Sequence, residues 1–288
     1  MNTSIVERRP NGQSEICDGE RYTLGYSEGE FKRLQLQGDF VRDLTEDVLR
    51  RAGLKQGMRV LDLGCGVGDV SLLAGQLVGP GGSVLGIDRS QDAVKTAQRR
   101  AVETGQCYWV RFASADLASF VPEREFDAII GRLVLMYLPD PAATLRRLAG
   151  FLRPGGIVAF QEMSMPFARS FPETPLFMQV LRWIIEAFVL TGFETDMGGK
   201  LFSTYLAAGL PAPQMISGAR AEGGVESLGY EYIAQTVRSL IPAMERTGIA
   251  TAADIGIDDL ADRLRDEAVA HSACIMFPPM TGAWTRLP

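Results

Sequence analysis

One cluster of residues has the types and spacing to bind a charged nucleoside cofactor. Within residues 58–69, the carboxylate Asp62 lies in an apolar run, and a turn made of Gly64, Gly66 and Gly68 follows it. Glycine adopts positive φ readily and has no Cβ to block the approach of a ligand. An apolar strand, a glycine turn and an immediate helix pattern predict a loop that presents bare backbone to a cofactor.

The spacing of these glycines argues against a pyrophosphate. The third glycine comes one residue earlier than in the dinucleotide pattern G-x-G-x-x-G. The Asp62 carboxylate would repel a pyrophosphate and attract a cationic group. S-adenosylmethionine meets both conditions, because it has a sulfonium, an ammonium and one adenosine but no phosphate. We therefore expect this cofactor and disfavour a nicotinamide dehydrogenase.

Further carboxylates follow the neighbouring strand patterns. Asp88 ends an apolar run, where a carboxylate would accept hydrogen bonds from both ribose hydroxyls. Asp116 follows the next strand and would accept from the adenine amine, with Leu117 supplying a backbone N–H and an apolar edge. Arg89 is assigned to the same cofactor site. A strand-end Asp is also a common helix cap or turn residue, so the prediction depends on the joint spacing of the acids.

Elements of two kinds must position these residues. Short apolar strands alternate with helix patterns, which predicts an α/β fold with a doubly wound, mostly parallel sheet. The expected strands of this core are 58–63, 83–88, 108–112, 126–131 and 157–161, and the expected helices are 69–78, 91–104 and 141–152. Beyond the core we expect helices at 176–189, 230–244 and 257–270 and strands at 213–222 and 280–287.

The chain divides into four regions on this pattern. We expect a flexible arm over 1–19, an N-terminal helical cap over 20–52, a cofactor-binding Rossmann-like core over 53–162, and a region over 163–288 that holds a helical lid insertion and the last two strands. Within the cap, the apolar spacing predicts two helices with a break near Gly38.

Composition excludes several classes of function. The 288 residues carry a net charge of −6 and no basic run, which disfavours a nucleic-acid partner. No stretch of 18 apolar residues and no apolar signal region occurs, so neither a membrane span nor a signal peptide is expected. Four cysteines without paired spacing and a single histidine disfavour a metal site. We expect a cytoplasmic protein, with a homodimer as one option for its assembly.

Five segments in order resemble the motifs of the class I S-adenosylmethionine-dependent methyltransferase family, in its small-molecule, ubiquinone-methyltransferase-like branch. They are 60–69, 84–88, 115–117, 126–140 and 152–156. The resemblance implies a seven-stranded Rossmann-like sheet with an antiparallel final strand.

Residues 22–37 resemble the N-terminal cap of small-molecule members of this family, which folds over the cofactor. The resemblance implies that Tyr22 and Gln37 reach the methionine end of S-adenosylmethionine. The alternative is that Tyr22 packs and Gln37 faces solvent.

Three residues are candidates for binding the methyl acceptor or the methionine end of the cofactor, or for proton transfer. Glu162 follows the fifth strand and would act as a base, a substrate anchor or a stabiliser of the sulfonium. His271 is the only histidine and suits proton transfer near neutrality, although a helix-end position is the alternative. Arg132 would bind the methionine carboxylate or a substrate acid, or pair with a neighbouring acid. Methyl transfer needs mainly in-line positioning, so a base is optional.

The lid is rich in Met, Phe and Trp, which favours a hydrophobic or aromatic small-molecule acceptor methylated on O, N or C, in keeping with secondary metabolism. Met136 and Tyr137 stand where related ubiquinone-type enzymes often carry His-His, which removes a base and makes the pocket apolar. Two alternatives stay open: a protein that uses the sulfonium charge to promote a rearrangement or cyclisation, and a non-catalytic binding module.

Overall fold

A seven-stranded sheet forms the centre of the molecule. The computed structural model describes Leu24 and residues 28–288, so the expected arm over 1–19 and Tyr22 lie outside the described residues. The strands are β1 (Arg59–Leu63), β2 (Ser83–Asp88), β3 (Val110–Ser114), β4 (Phe126–Arg132), β5 (Leu152–Met163), β6 (Arg169–Phe171), β7 (Gln214–Gly218), β8 (Ala221–Glu222), β9 (Cys274–Met276) and β10 (Met280–Arg286). The order in the large sheet is β3-β2-β1-β4-β5-β10-β7.

Helices cover this sheet and its carboxyl edge. They are α1 (Glu28–Phe40), α2 (Arg42–Ala52), α3 (Asp69–Val78), α4 (Gln91–Glu103), α5 (Pro141–Ala149), α6 (Pro175–Leu190), α7 (Met197–Ala207), α8 (Gly229–Thr247), α9 (Ala252–Ile255) and α10 (Leu260–Ala270). Strands β1 to β5 pair in parallel, whereas β10 runs antiparallel to β5 and β7. The predicted doubly wound sheet with an antiparallel final strand is confirmed. None of the described helices is long and apolar enough to cross a membrane.

The strand order reverses beside β1, and this reversal locates the site. The chain runs outward from β1 to β2 and β3, and then returns to β4 on the other side of β1. In an open parallel sheet, the crevice at such a switch point lies at the carboxyl ends of the strands and binds ligands. The apolar residues of β1 are buried on both faces, as Val60 and Leu61 are fully covered, so the strand holds the following glycine loop rigidly.

Several helix starts follow from their sequence. The Ser90 hydroxyl accepts a hydrogen bond from the Ala93 N–H and caps α4, as its position predicts. The Asp140 carboxylate caps α5 in the same way, and Pro141 occupies the first turn, where its missing N–H costs nothing.

The structure differs from the sequence-based elements in several places. The break near Gly38 is wrong: Gly38 lies inside α1, and the chain breaks at Val41. Gly38 instead allows α1 to approach Asp69, because a Cβ at Gly38 would lie 2.5 Å from the Asp69 carboxyl carbon. Helix α7 and a second sheet of β6, β9 and β8 were not expected, since short strands of two or three residues carry no readable alternation.

The helices after β5 form a cover over the carboxyl edge. Helix α8 packs against α1, α6 and α10. Its buried face is apolar and includes Ile233, Val237 and Leu240. The segment before the core and the segment after it therefore meet above the same edge of the sheet.

Candidate cofactor and acceptor site

A cavity of about 860 Å³ opens between the glycine loop, the carboxyl ends of β1, β2 and β4, and helices α1, α6 and α8. It is lined by most of the residues that the sequence assigns to the cofactor. These are Gln37, Asp62, Gly64, Gly66, Asp88, Arg89, Asp116, Leu117 and Arg132.

The glycine loop adopts backbone conformations that favour glycine. Gly64, Gly66 and Gly68 have φ values of +59°, +51° and +92°. A Cβ at Gly64 would lie 2.8 Å from Cγ2 of Val134, so the loop needs glycine there. Gly68 does not line the cavity. It precedes α3, and a Cβ there would lie 3.0 Å from the ring of Phe112, so its role is packing and not cofactor contact.

Asp88 joins the glycine loop to the start of α4. Its Oδ2 accepts a hydrogen bond from the Gly66 N–H at 2.9 Å, and its Oδ1 accepts from the Ser90 N–H at 2.8 Å. Each carboxylate oxygen has capacity for a second hydrogen bond, which suits a pair of ligand hydroxyls. Burial raises the pKa of Asp88, and the two N–H donors oppose that rise.

Asp62 is buried and only partly satisfied. Its Oδ2 accepts from the Ser71 hydroxyl at 2.5 Å, whereas its Oδ1 has no hydrogen-bond partner among the described residues. Burial raises the pKa of Asp62 to about 7, although Ser71 and the nearby charge of Arg132 lower it. A buried carboxylate oxygen without a donor is costly, so a ligand ammonium or N–H at this point would stabilise the site.

Arg132 lies at the end of β4 and lines the cavity. Its guanidinium donates to the Thr45 hydroxyl at 3.0 Å, and that hydroxyl lies 2.8 Å from Oε1 of Gln161. Burial lowers the pKa of Arg132. The Thr45 hydroxyl holds the guanidinium in place. The negative charges of Asp69 and Asp62 oppose the lowering of its pKa.

Asp116 and its neighbours form the outer rim. Asp116 is exposed, and its Oδ1 accepts from the Ala118 N–H at 2.6 Å in a local turn. Leu117 is half-buried beside it and Arg89 is exposed. All three line the cavity, but the turn hydrogen bond is also the alternative that the sequence left open for Asp116.

The other half of the cavity is apolar. Its walls come from the loop after β4, from β5 and from helices α6 and α8. They include Met136, Met163, Met165, Phe177, Leu181, Ile184 and Phe188. Tyr137 adds a phenol whose pKa is raised by burial. The expected apolar pocket is present, and Met136 and Tyr137 both line it.

Leu133 marks the junction between the two halves. It has φ of +55°, which is a strained conformation for a residue with a side chain. Its N–H donates to the Gln161 carbonyl at 2.9 Å. Because such strain persists only where surrounding structure imposes it, the loop after β4 is held firmly at this point.

Glu162 imposes part of that constraint. Its Oε1 accepts from the N–H groups of Val134 and Leu135 at 2.9 and 2.8 Å. Its side chain is fully buried, does not line the cavity, and leaves Oε2 without a partner among the described residues. Burial raises the pKa of Glu162 to about 7, against the effect of these N–H donors. Glu162 therefore positions the loop and does not reach an acceptor, contrary to the expectation of a base or anchor.

His271 lies away from the cavity. It is exposed at the end of α10, and its Nδ1 is 2.9 Å from the Glu267 carbonyl oxygen. This position removes His271 from the candidate catalytic residues and matches the helix-end alternative.

Three residues of the site were missed from the sequence. Thr45 supports Arg132, Leu133 is strained at the junction, and Tyr232 accepts a hydrogen bond from the Gln37 amide at 2.9 Å. Thr45 and Tyr232 lie on amphipathic helices whose pattern carries no sign of a site. Among the described residues, no group of three or more His, Cys, Asp or Glu side chains could hold a metal ion.

The sheet order and the flanking helices define a Rossmann-like fold with a cavity at the carboxyl ends of its strands. Residues 54–188 match the model of a family described as a methyltransferase domain. Over these residues the chain is similar to the methyltransferase family that its motifs resemble.

Two curated relatives illustrate the likeness. A 2-phytyl-1,4-naphtoquinone methyltransferase from Synechococcus elongatus is 37% identical over 138 residues, which cover 46% of this chain and 57% of that protein. A ubiquinone biosynthesis O-methyltransferase from Aromatoleum aromaticum is 38% identical over 118 residues, or 41% of this chain and 49% of that protein. The chain thus spans about half the length of these relatives.

A solved structure agrees over more of the chain. A putative methyltransferase from Bacillus halodurans aligns with a TM-score of 0.56 over 85% of this chain and 98% of that one, at 14% identity. At this identity the likeness shows the fold alone.

Proposed function

We propose that this chain is an S-adenosylmethionine-dependent methyltransferase that acts on O, N or C of a hydrophobic or aromatic small molecule. The observation that carries the proposal is one cavity with two different halves. The half at the strand ends holds Asp62, Asp88 and Asp116, and the half under α6 and α8 is lined by Met, Phe, Leu and Ile.

The first half fits the cofactor. The unpartnered Oδ1 of Asp62 suits an ammonium, the Asp88 carboxylate suits ribose hydroxyls, and Asp116 with Leu117 suits the adenine edge. Gly64 and Gly66 allow the backbone to lie against the ligand. When bound, S-adenosylmethionine supplies an electrophilic methyl group on sulfur. The role of the chain is to hold cofactor and acceptor in line and to exclude water, and such positioning contributes on the order of 7–11 kcal/mol.

The second half supports the acceptor class. An apolar chamber of this kind favours burial of an aromatic body, and the relatives named above are a naphthoquinone methyltransferase and an enzyme of ubiquinone biosynthesis. A rearrangement catalyst and a non-catalytic module are not favoured, because these relatives are methyltransferases. The cytoplasmic location and the lack of a nucleic-acid partner stay predictions from cysteine usage and charge, and the homodimer stays one option for the assembly.

Isotope transfer tests the proposal. The purified protein is incubated with methyl-labelled S-adenosylmethionine and a panel of phenols, hydroquinones, amines and enols, and the products are analysed by mass spectrometry. We expect label in at least one aromatic product. Absence of label from every class of acceptor would contradict methyl transfer to such molecules.

The variant D88A tests the cofactor half of the cavity. Replacing Asp88 with Ala removes a hydrogen-bond acceptor for the ribose hydroxyls and leaves the Gly66 N–H without this partner. Each hydrogen bond to a charged group contributes about 1.5–3 kcal/mol. We expect D88A to weaken S-adenosylhomocysteine binding at least about tenfold in calorimetry. The matched control D92A removes an exposed carboxylate that pairs with Lys95 at 2.9 Å and does not line the cavity, and its affinity should equal that of the wild type.

A further inference from the structure

The apolar half of the cavity contains one polar pair that joins two helices. Gln37 of α1 donates from Nε2 to the Tyr232 hydroxyl of α8 at 2.9 Å, and both side chains line the cavity. The two residues are 195 positions apart in the chain. Gln37 was expected either to reach the cofactor or to face solvent; it is buried, lines the cavity and donates an amide N–H to this phenol.

Aromatic neighbours fix the ring of Tyr232. Its centroid lies 5.3 Å from that of Phe40 and 6.2 Å from that of Phe277. Phe40 and Phe277 contact each other edge to face at 4.7 Å. A phenol with a packed ring and a hydrogen-bonded oxygen is held in place before any ligand arrives, so it can orient a ligand at little entropic cost.

The hydrogen bonding of this phenol leaves a donor for a ligand. The oxygen of Tyr232 accepts from Gln37, which directs the phenol hydrogen elsewhere. Within residues 28–288 we find no protein acceptor for that hydrogen. Ile233, Phe277 and Val180 line the same cavity with apolar side chains.

The same phenol shares its cavity with the cofactor half. Tyr232 and Arg132 both line this cavity, and Arg132 is the last residue of β4. A ligand oxygen bound to Tyr232 would therefore place the ligand ring in the cavity that the cofactor half also lines.

We propose that Tyr232 is the acceptor-binding residue of this enzyme, that it donates a hydrogen bond to a hydroxyl or carbonyl oxygen on an aromatic acceptor, and that Gln37 positions it. This inference rests on the proposed function and narrows the acceptor to oxygen-bearing aromatic molecules. A buried site built around a hydrogen-bond donor disfavours an analogue that lacks the oxygen, because the donor is then left unpaired.

Binding of two isosteric probes tests the inference without turnover. The dissociation constants of 1-naphthol and 1-methylnaphthalene are measured by ligand-observed NMR on protein saturated with S-adenosylhomocysteine. In Y232F the ratio of the two constants should shift about 3- to 10-fold against 1-naphthol, which is the expected loss of one hydrogen bond. Q37L should shift it in the same direction by less. An unchanged ratio in Y232F would overturn the proposal.

Helix α8 offers a matched control. Tyr230 is buried, whereas Tyr232 is half-buried. The Tyr230 hydroxyl donates to the Gly224 carbonyl at 3.2 Å, and Tyr230 does not line the cavity. Y230F loses a hydroxyl from the same helix and should keep the wild-type ratio. An equal shift in Y230F and Y232F would mean that both substitutions disturb α8 in general, and it would overturn the proposed role of Tyr232.

The two proposals can fail separately. If no methyl acceptor receives label but Y232F shifts the probe ratio, the proposed methyl transfer is wrong and the proposed hydrogen bond from Tyr232 to an aromatic ligand is supported. If label is transferred and Y232F leaves the ratio unchanged, the proposed role of Tyr232 is wrong and the proposed methyltransferase activity is supported.

Discussion

Two buried carboxylates, Asp62 and Glu162, define the chemistry at the scale of single residues. Each has one oxygen on protein donors and one oxygen without a partner among the described residues. They differ in what they face, because Asp62 lines the cavity and Glu162 does not. A carboxylate near the end of a strand thus faces the cavity in one place and holds a loop in the other.

Glu162 should make stability depend on pH. Its native pKa of about 7 lies above the ordinary value of 4.5, so the native state binds more protons than the unfolded state between these values. The free energy of unfolding contributed by Glu162 is therefore highest below about pH 4.5, falls as pH rises to about 7, and is level above that.

The substitution E162Q should remove this dependence. Its amide oxygen still accepts from the Val134 and Leu135 N–H groups, but it does not ionise. We expect the difference between wild type and E162Q in urea unfolding to change by about 3 kcal/mol at most between pH 4.5 and 7.5, at roughly 1.4 kcal/mol per pKa unit. A difference that is constant with pH would contradict the buried, ionisable role.

At the scale of elements, close approach of a helix to the sheet depends on small residues. Helix α2 packs against β10 and β5. At this contact a Cβ on Gly282 of β10 would lie 2.3 Å from Cγ2 of Val48 on α2. Because α2 carries Thr45, which holds Arg132, this packing also supports the cofactor half of the cavity.

A double-mutant cycle tests that contact. G282A should destabilise the protein by about 1–3 kcal/mol, because it overpacks a tight interface. V48A removes the opposing methyl groups, so the double variant G282A/V48A should be more stable than the sum of the single effects predicts, by about 1 kcal/mol or more. The measurement is chemical denaturation followed by circular dichroism. Additive effects would mean that the two residues do not oppose each other.

At the scale of the whole molecule, the cavity lies between parts that are distant in the chain. Its floor is the parallel sheet, and its cover comes from α1 before the core and from α6 and α8 after it. A ligand that fills it contacts elements from both ends of the described chain, so binding should stabilise the whole fold.

Thermal unfolding checks this coupling. S-adenosylhomocysteine at 100 times its dissociation constant should add about 2.7 kcal/mol to stability, which raises Tm by about 5 °C or more for a chain of this size. D88A should show a smaller rise at the same ligand concentration. An equal rise in the wild type and D88A would place the ligand elsewhere.

The sequence alone determined the cofactor half of this protein. The strand before the glycine turn and the positive φ of its glycines are confirmed, and Asp62 and Asp88 line the cavity as expected, because each depends on local spacing within a β-α unit. The boundaries of α3 and β2 followed for the same reason.

Only the tertiary structure decided the acceptor half. Whether Glu162 points into the cavity or behind it depends on which face of β5 is covered, and the sequence pattern of a strand buried on both faces does not reveal that. The pairing of Gln37 with Tyr232 depends on how α1 and α8 cross, which no local periodicity encodes. Contacts between residues far apart in the chain arise from packing, and they set the polar anchor that the proposed acceptor would meet.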